Sequence, residues 1–198
     1  MSPNLPRLVV LISGSGTNLQ AILDACVDGS LPASVVAVIS NKAEAYGLTR
    51  ARSAGVAAVA IPKADGESRS AYDARLTEIV QGYAPDYVVL AGWMRILTSG
   101  FLNTFPNRVI NLHPALPGMF PGTHAIERAF EAWQKGEIDR TGIMIHLVPD
   151  EGVDNGPVLA TREIFFEPGE TLEAFEQRVH KVEHALLVET LKKVLSSH

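Results

Sequence analysis

The sequence lacks the features that mark several large classes of protein. It contains a single cysteine, Cys26, so no disulfide can form within the chain, and a reducing, cytoplasmic location is expected. No apolar run reaches the roughly 20 residues that a membrane-spanning helix needs. The apolar residues after Arg7 are too few for a signal peptide and are predicted to form a strand. Because repeats, low-complexity segments and linkers are also missing, residues 1–198 are expected to form one domain.

A strong net charge is missing as well. The chain has 22 acidic and 17 basic residues, which gives a formal net charge of −5. This balance argues against broad binding to nucleic acid or to an anionic membrane surface. A weakly acidic protein that binds an anionic small molecule needs a local cluster of hydrogen-bond donors to hold it.

Short apolar runs alternate with helical patterns along most of the chain. Arg7–Ser13 and Ser34–Ser40 are continuously apolar, as expected for strands covered on both faces. Between them, apolar residues recur at helical spacing from Leu19 to Cys26, which predicts a helix over 18–28. Further strands are predicted at 57–62, 86–92 and 107–113, and further helices at 47–54, 68–83 and 125–135. The alternation predicts an α/β fold with a mostly parallel, twisted sheet flanked by helices.

The pattern changes after Gly122. Strands are predicted at 141–148 and 157–166 with only a loop between them, which favours an antiparallel pair. A long helix is predicted over 171–195, with acidic residues in its first turn, where they suit the helix dipole. Its apolar stripe is expected to dock on the sheet; the stripe comprises residues 172, 175, 179, 182 and 186.

The turn after the first strand has the composition of a phosphate site. In LISGSGTNLQ (residues 11–20), Gly14 and Gly16 permit tight turns, and the following helix offers unpaired N–H groups and a positive dipole end. The dinucleotide fingerprint and the nucleotide-triphosphate loop both need a glycine where Leu19 stands, so a single phosphate monoester fits better. The alternative is an ordinary turn that leads into a capped helix.

The fifth predicted strand ends in two polar side chains. Strand alternation puts Asn111 and His113 on the same side, at the carboxyl end where open α/β sheets bind ligands. Three prolines in the next eight residues then disfavour a helix, so the segment would line a pocket. An amide and an imidazole directed at one point can stabilise a carbonyl oxygen that develops negative charge. The alternative is that the two residues only tie down a loop.

A later loop carries three carboxylates, Asp150, Glu151 and Asp154. A carboxylate near His113 would hold the imidazolium and raise the pKa of His113 above its ordinary value of ~6.5. The alternative for Asp150 and Glu151 is a solvated acidic turn. The nearby His146 is expected to be a structural residue.

No metal site is predicted: the segment HKVEH (180–184) fits an inverted zinc-protease pattern, but it provides no third ligand and its helix carries the apolar stripe.

Four segments together resemble a known family. ISGSGTNLQAIL, VVLAGWMRIL, INLHPALPGMFPG and DEGVDNGPV, in this order and at these separations, are similar to the phosphoribosylglycinamide formyltransferases of purine biosynthesis. The Asn-x-His-Pro and Asp-x-Gly-Pro elements are shared with the wider group of formyl-folate transferases and hydrolases. The similarity runs from about Leu8 to the final helix and implies a Rossmann-like formyltransferase fold.

The resemblance also implies substrates and site residues. The co-substrates would be 10-formyltetrahydrofolate and glycinamide ribonucleotide, with no metal, nucleic acid or membrane partner, in a monomer or homodimer. Residues 1–105 would bind the ribonucleotide, and residues 106–198 would bind the folate and carry the catalytic groups. The catalytic residues would be Asn111, His113 and Asp154. The ribonucleotide would contact Ser15, Gly16, Thr17, Asn18 and Glu183. The folate would contact Arg69, Met94, Arg95, Ile96, Leu97, Asn111, Asp150, Glu151, Val153 and Asp154.

Two other functions use parts of the same pattern. A formyltetrahydrofolate hydrolase would use Asn111, His113 and Asp154 with water in place of the amine, but it would have less need of a phosphate site. A non-catalytic module that binds a phosphometabolite would keep the first turn but has no use for the three polar residues. The chain departs from the family at residues 115–118, Ala-Leu-Pro-Gly, and the loop from His146 to Asp154 is slightly longer than usual.

Overall fold

The computed structural model describes residues 5–197. They form seven strands and six helices, which alternate along the chain except that the last two strands are consecutive. The strands are β1 (Arg7–Ile12), β2 (Ser34–Ser40), β3 (Ala57–Ala60), β4 (Tyr87–Leu90), β5 (Val109–His113), β6 (Arg140–Leu147) and β7 (Val158–Phe165). The helices are α1 (Thr17–Val27), α2 (Tyr46–Ser53), α3 (Arg69–Gly82), α4 (Ser99–Thr104), α5 (Ala125–Gln134) and α6 (Leu172–Ser196).

The strands form one sheet in the order β3-β2-β1-β4-β5-β6-β7. The first five strands are parallel to one another, whereas β6 is antiparallel to both β5 and β7. The mostly parallel sheet, the antiparallel β6–β7 pair and the long C-terminal helix are confirmed. The antiparallel pairing of β6 with β5 adds a contact that the sequence did not predict.

Apolar residues cover both faces of the sheet, which explains the continuous apolar runs. In β1, Leu8, Val10 and Ile12 pack on one face with residues of α1 and α6. Val9 and Leu11 pack on the other face with residues of α3 and α4. The stripe of α6 contributes Phe175, Val179 and Leu186 to the first core, as expected.

Helix α4 is absent from the sequence-based prediction. Its six residues, SGFLNT, are too few for helical periodicity to be visible, and Gly100 lowers the helical propensity further. The helix forms because tertiary packing buries Phe101 and Leu102 against α3.

The strand order reverses next to β1, since β2 and β3 lie on one side of it and β4 on the other. Such a switch point opens a crevice at the carboxyl ends of the strands. Here the turn after β1 contacts the segment after β4: Ser13 N donates to Gly92 O at 3.0 Å, and Met94 N donates to Ser13 Oγ at 2.8 Å. The carboxyl ends of β1, β4 and β5 therefore adjoin one another. No helix in the described part of the chain combines the length and apolarity that a membrane crossing requires.

Candidate active site

Asn111, His113 and Asp154 meet at the carboxyl end of β5. Asn111 Nδ2 donates to Asp154 Oδ1 at 3.0 Å, and His113 Nδ1 lies 3.3 Å from Asp154 Oδ2. Strand β5 supplies the amide and the imidazole on one face, and the loop between β6 and β7 supplies the carboxylate. Three groups that are distant in sequence thus form one connected polar cluster.

His146 belongs to the same cluster, although it was expected to be a structural residue. Its Nε2 lies 3.1 Å from Asn111 Nδ2 and 3.5 Å from Asp154 Oδ1. Its Nδ1 lies 2.8 Å from Leu147 O, so both ring nitrogens of His146 have polar neighbours. The signal that could have found His146 is cross-strand register, because β6 pairs with β5 so that His146 stands opposite Asn111.

The backbone around Asp154 is fixed in an unusual conformation. Asp154 has φ 52°, in the left-handed region, and Phe120 and His124 on the facing segment have φ 45° and 57°. Non-glycine residues seldom adopt such angles, and they concentrate at functional sites. The N–H of Gly122 donates to Asp154 Oδ2 at 2.8 Å and ties the two segments together.

The pKa of Asp154 lies below its ordinary value. Burial alone would raise this pKa, but hydrogen bonds from His146 and the Gly122 N–H and the nearby His113 imidazole favour the ionised carboxylate. Asp154 is therefore a carboxylate at neutral pH.

The pKa of His113 is lowered, so the expectation that it would be raised is wrong. Burial has the largest effect, because the side chain is only 4% exposed and the interior disfavours the charged imidazole. The charge of Asp154 and the Met119 carbonyl oppose this shift without reversing it. His113 is therefore neutral near pH 7 in the unliganded protein.

A cavity of about 500 Å³ opens beside the cluster. Its volume is in the range of ligand pockets. The segment after β4 forms one wall and exposes the side chains of Met94 and Ile96. The loop before β7 forms another, with Asp150, Gly152 and Val153. The members of the predicted folate set that line it are Met94, Arg95, Ile96, Leu97, Asn111, Asp150, Val153 and Asp154.

Helix α3 and the first turn hold the wall after β4 in place. Thr98 N donates to the buried carboxylate of Asp73 at 2.6 Å. The Arg95 guanidinium carbon lies 4.2 Å from the centre of the Tyr72 ring. Since Met94 N also binds the first turn, this irregular segment is fixed at both ends and in its middle.

Arg69 and Glu151 line a second cavity, together with residues of α3 and α4. Glu151 Oε1 accepts from Ser99 N at 2.9 Å and from Ser99 Oγ at 2.6 Å, and Arg69 donates to Glu151 Oε2. These hydrogen bonds, those from Ser99 first, lower the pKa of Glu151 to about 2. Glu151 is thus not simply a residue of a solvated turn: it joins the loop before β7 to the start of α4.

The predicted phosphate turn leads into α1. Gly16 precedes the helix with φ 72°, and no side chain caps the helix. In the described part of the chain, no protein acceptor binds the N–H groups of Ser15, Gly16 or Thr17. Such free N–H groups at a helix N-terminus suit an anion.

Glu183 lies beside this turn, as its assignment to the same substrate requires. Its side chain is 4% exposed, and its Oε2 accepts from Asn18 Nδ2 at 3.3 Å. His180 Nδ1 lies 2.7 Å from the same oxygen, and this hydrogen bond raises the pKa of His180. Within residues 5–197, no group of three or more His, Cys, Asp or Glu residues is arranged to hold a metal ion.

The formyl transferase family model matches residues 6–191. A phosphoribosylglycinamide formyltransferase from Dictyostelium discoideum is 47% identical over 94% of this chain and 96% of its own length. Another from Schizosaccharomyces pombe is 44% identical over 96% and 98%. The crystal structure of glycinamide ribonucleotide transformylase 1 from Symbiobacterium toebii superposes with a TM-score of 0.91 at 42% identity, covering 99% of this chain and 90% of the other. The chain belongs to the formyl transferase family.

Proposed function

We propose that this protein transfers the formyl group of 10-formyltetrahydrofolate to the amine of glycinamide ribonucleotide in purine biosynthesis. The single observation that carries the proposal is the cluster of Asn111, His113 and Asp154 on a cavity wall next to the phosphate turn. The relatives named as formyltransferases of the same ribonucleotide support it, since they match nearly the whole chain.

The two substrates would occupy the two sides of the cluster. The ribonucleotide phosphate binds the N–H groups of residues 15–18, and Glu183 accepts hydrogen bonds from the ribose. The folate lies in the cavity beside Met94 and Ile96, whose exposed apolar side chains suit a flat pterin ring. Arg69 and Arg95 attract the carboxylates of its glutamate tail. On this proposal residues 1–105 supply the phosphate turn and residues 106–198 the catalytic groups, but each half also contributes to the other subsite: Glu183 reaches the ribonucleotide, and the segment after β4 contacts the folate.

The reaction begins when the amine nitrogen attacks the formyl carbon. A C–N bond forms, and the electron pair of the C=O bond moves to the oxygen. Asn111 donates an amide N–H to this oxyanion, exchanging its contact with His146 for the new acceptor. A preorganised donor of this kind stabilises the transition state by about 3–4 kcal/mol.

The proton follows a path that a neutral His113 can provide. The attacking nitrogen becomes positively charged, and His113 Nε2 accepts one of its protons while Asp154 stabilises the resulting imidazolium through Nδ1. When the C–N bond to the folate breaks, His113 returns the proton to the departing nitrogen. One proton moves in total, and the products are the formylated ribonucleotide and tetrahydrofolate. No step requires a metal or a covalent enzyme intermediate.

The hydrolase alternative uses water as the nucleophile and the same three residues. The open N–H groups beside Glu183 favour the transferase, because a hydrolase has no phosphorylated substrate to hold.

A cytoplasmic location is part of this proposal and is supported by the single cysteine, Cys26.

The experiment is a formyl-transfer assay with and without the ribonucleotide. We expect tetrahydrofolate to be released only when the ribonucleotide is present, in a 1:1 ratio with the formylated product. Release at the same rate without ribonucleotide would instead identify a hydrolase. Calorimetric binding of the ribonucleotide without any turnover would identify a binding module.

A further inference from the structure

The phosphate turn has no cationic side chain of its own. Residues 13–20, SGSGTNLQ, are all uncharged, and the nearby Glu183 carboxylate is buried. A phosphate that carries close to two negative charges needs compensation in such surroundings. A candidate comes from α2: Arg50 Nε donates to Ser15 O at 2.8 Å.

Helix α2 controls the orientation of two successive peptide groups in the turn. Gly47 N donates to Gly14 O at 3.1 Å, and Arg50 binds the next carbonyl, that of Ser15. A peptide group is planar and trans, so its N–H points away from its C=O. With both carbonyls held on the α2 side, the N–H groups of Ser15 and Gly16 point to the opposite side, together with the N–H groups that start α1. Successive N–H groups arranged in this way form an anion-binding concavity.

This contact depends on close packing that only glycine permits. A Cβ on Gly16 would lie 2.7 Å from the Cα of Gly47, and a Cβ on Gly47 would lie 2.3 Å from Ile12 Cδ1. Arg50 follows Gly47 by three residues, so it projects from the same face of the helix. Its guanidinium also donates to Gln20 Oε1 at 3.2 Å and lies 4.9 Å from the centre of the Tyr46 ring. The side chain is therefore held in position before any ligand arrives.

We propose that Arg50 is a positioning residue for the phosphate of the ribonucleotide. It fixes the N–H groups of the turn through the Ser15 carbonyl and supplies the positive charge that the turn lacks. Arginine is needed because its planar fork donates to Ser15 and Gln20 at once, whereas a lysine ammonium on a flexible chain has no matching geometry. The inference rests on the proposed function, since it names how that substrate is held.

The test compares Arg50→Ala and Arg50→Lys with Arg52→Ala, which removes an exposed arginine from the same helix. Steady-state kinetics on each protein give the kcat and the KM values for the ribonucleotide, for the formyl donor and for the ribonucleoside that lacks only the phosphate. Calorimetry gives the affinity for inorganic phosphate. For Arg50→Ala we expect roughly a tenfold rise in the ribonucleotide KM, the worth of a hydrogen bond to a charged group. The affinity for inorganic phosphate should fall by a similar factor.

The ribonucleoside KM, the KM for the formyl donor and the kcat should stay unchanged, and Arg50→Lys should recover part of the loss. Arg52→Ala should match the wild type throughout. Unchanged phosphate affinity in Arg50→Ala would overturn the proposal, as would an equal loss for the ribonucleotide and the ribonucleoside. If Arg50→Ala fails to fold, Arg50→Lys decides by the same comparison. Absence of ribonucleotide turnover by the wild type would instead count against the proposed function, and the calorimetry would still test Arg50.

Discussion

Replacing Asp154 by asparagine tests the proposed proton path most directly. The carboxylate accepts hydrogen bonds from Asn111 Nδ2 and Gly122 N, at 3.0 and 2.8 Å, and lies 3.3 Å from His113 Nδ1. An asparagine has only one acceptor oxygen, so its NH₂ group must face one of these donors. The substitution therefore removes the negative charge and also sets two donors against each other, while the volume of the side chain hardly changes.

The expected loss follows from the role of His113. Without the carboxylate the imidazolium that forms during the reaction has no counter-charge, and positioned proton transfer of this kind is worth roughly 10²- to 10⁴-fold in rate. We expect kcat to fall by a factor in this range. The KM for the ribonucleotide should change little, because the phosphate turn is held by other residues. Asp28→Asn, an exposed change at the C-terminal end of α1, is the control.

The pH dependence gives a second, independent readout. Since His113 must accept a proton from the amine, kcat/KM of the wild type should fall as acid protonates His113, with a midpoint below the ordinary ~6.5 of histidine. Asp154 opposes the effect of burial, so its removal should move this midpoint to lower pH. Steady-state kinetics between pH 5 and 9, with NMR titration of His113, measure both effects. A kcat close to that of the wild type, or a midpoint that moves upward, would refute the reasoning.

The remaining predictions concern substitutions of single residues. Asn111→Ala and His113→Ala should each lower kcat by at least about 100-fold with an unchanged far-UV spectrum; near-normal turnover in either variant would contradict its assigned role. His146→Ala should lower kcat by roughly tenfold, because the Asp154 carboxylate loses the imidazole that lies 3.5 Å from its Oδ1, and an unchanged kcat would return His146 to a purely structural role. Gly47→Ala should lower the free energy of unfolding by about 1–3 kcal/mol, since its methyl group would overlap Ile12; denaturant titration measures this, and wild-type stability would show that α2 can withdraw from the turn.

The architecture follows from the sequence where the apolar pattern is long. The runs at Arg7–Ser13 and Ser34–Ser40 are covered on both faces, so their composition alone distinguishes them from loops. The pairing of Asn111 with His113 is also visible, because alternation along a strand is a local property. Helix α4 is not visible, because its six residues carry less information than the tertiary contacts that bury them.

The site could be predicted only in part, for a different reason. Asp154 lies in a loop, and no periodic pattern places a loop residue in space, so its role came from the resemblance. His146 required knowledge of which strand lies beside β5 and in which register. The pKa of His113 was predicted in the wrong direction, because the sequence shows the neighbouring carboxylate but not the depth of burial, and burial has the larger effect.

The antiparallel pairing of β5 with β6 has a consequence for which insertions and deletions this enzyme can accept. Neighbouring side chains on a strand face opposite sides of the sheet. A shift of the β5–β6 register by one residue would therefore place Ile145 or Leu147 opposite Asn111 in place of His146. Insertions outside the paired residues should leave this alignment intact, whereas a one-residue slip within them should lower turnover even in a chain that still folds. The register of this strand pair is thus a requirement of the site as well as of the fold.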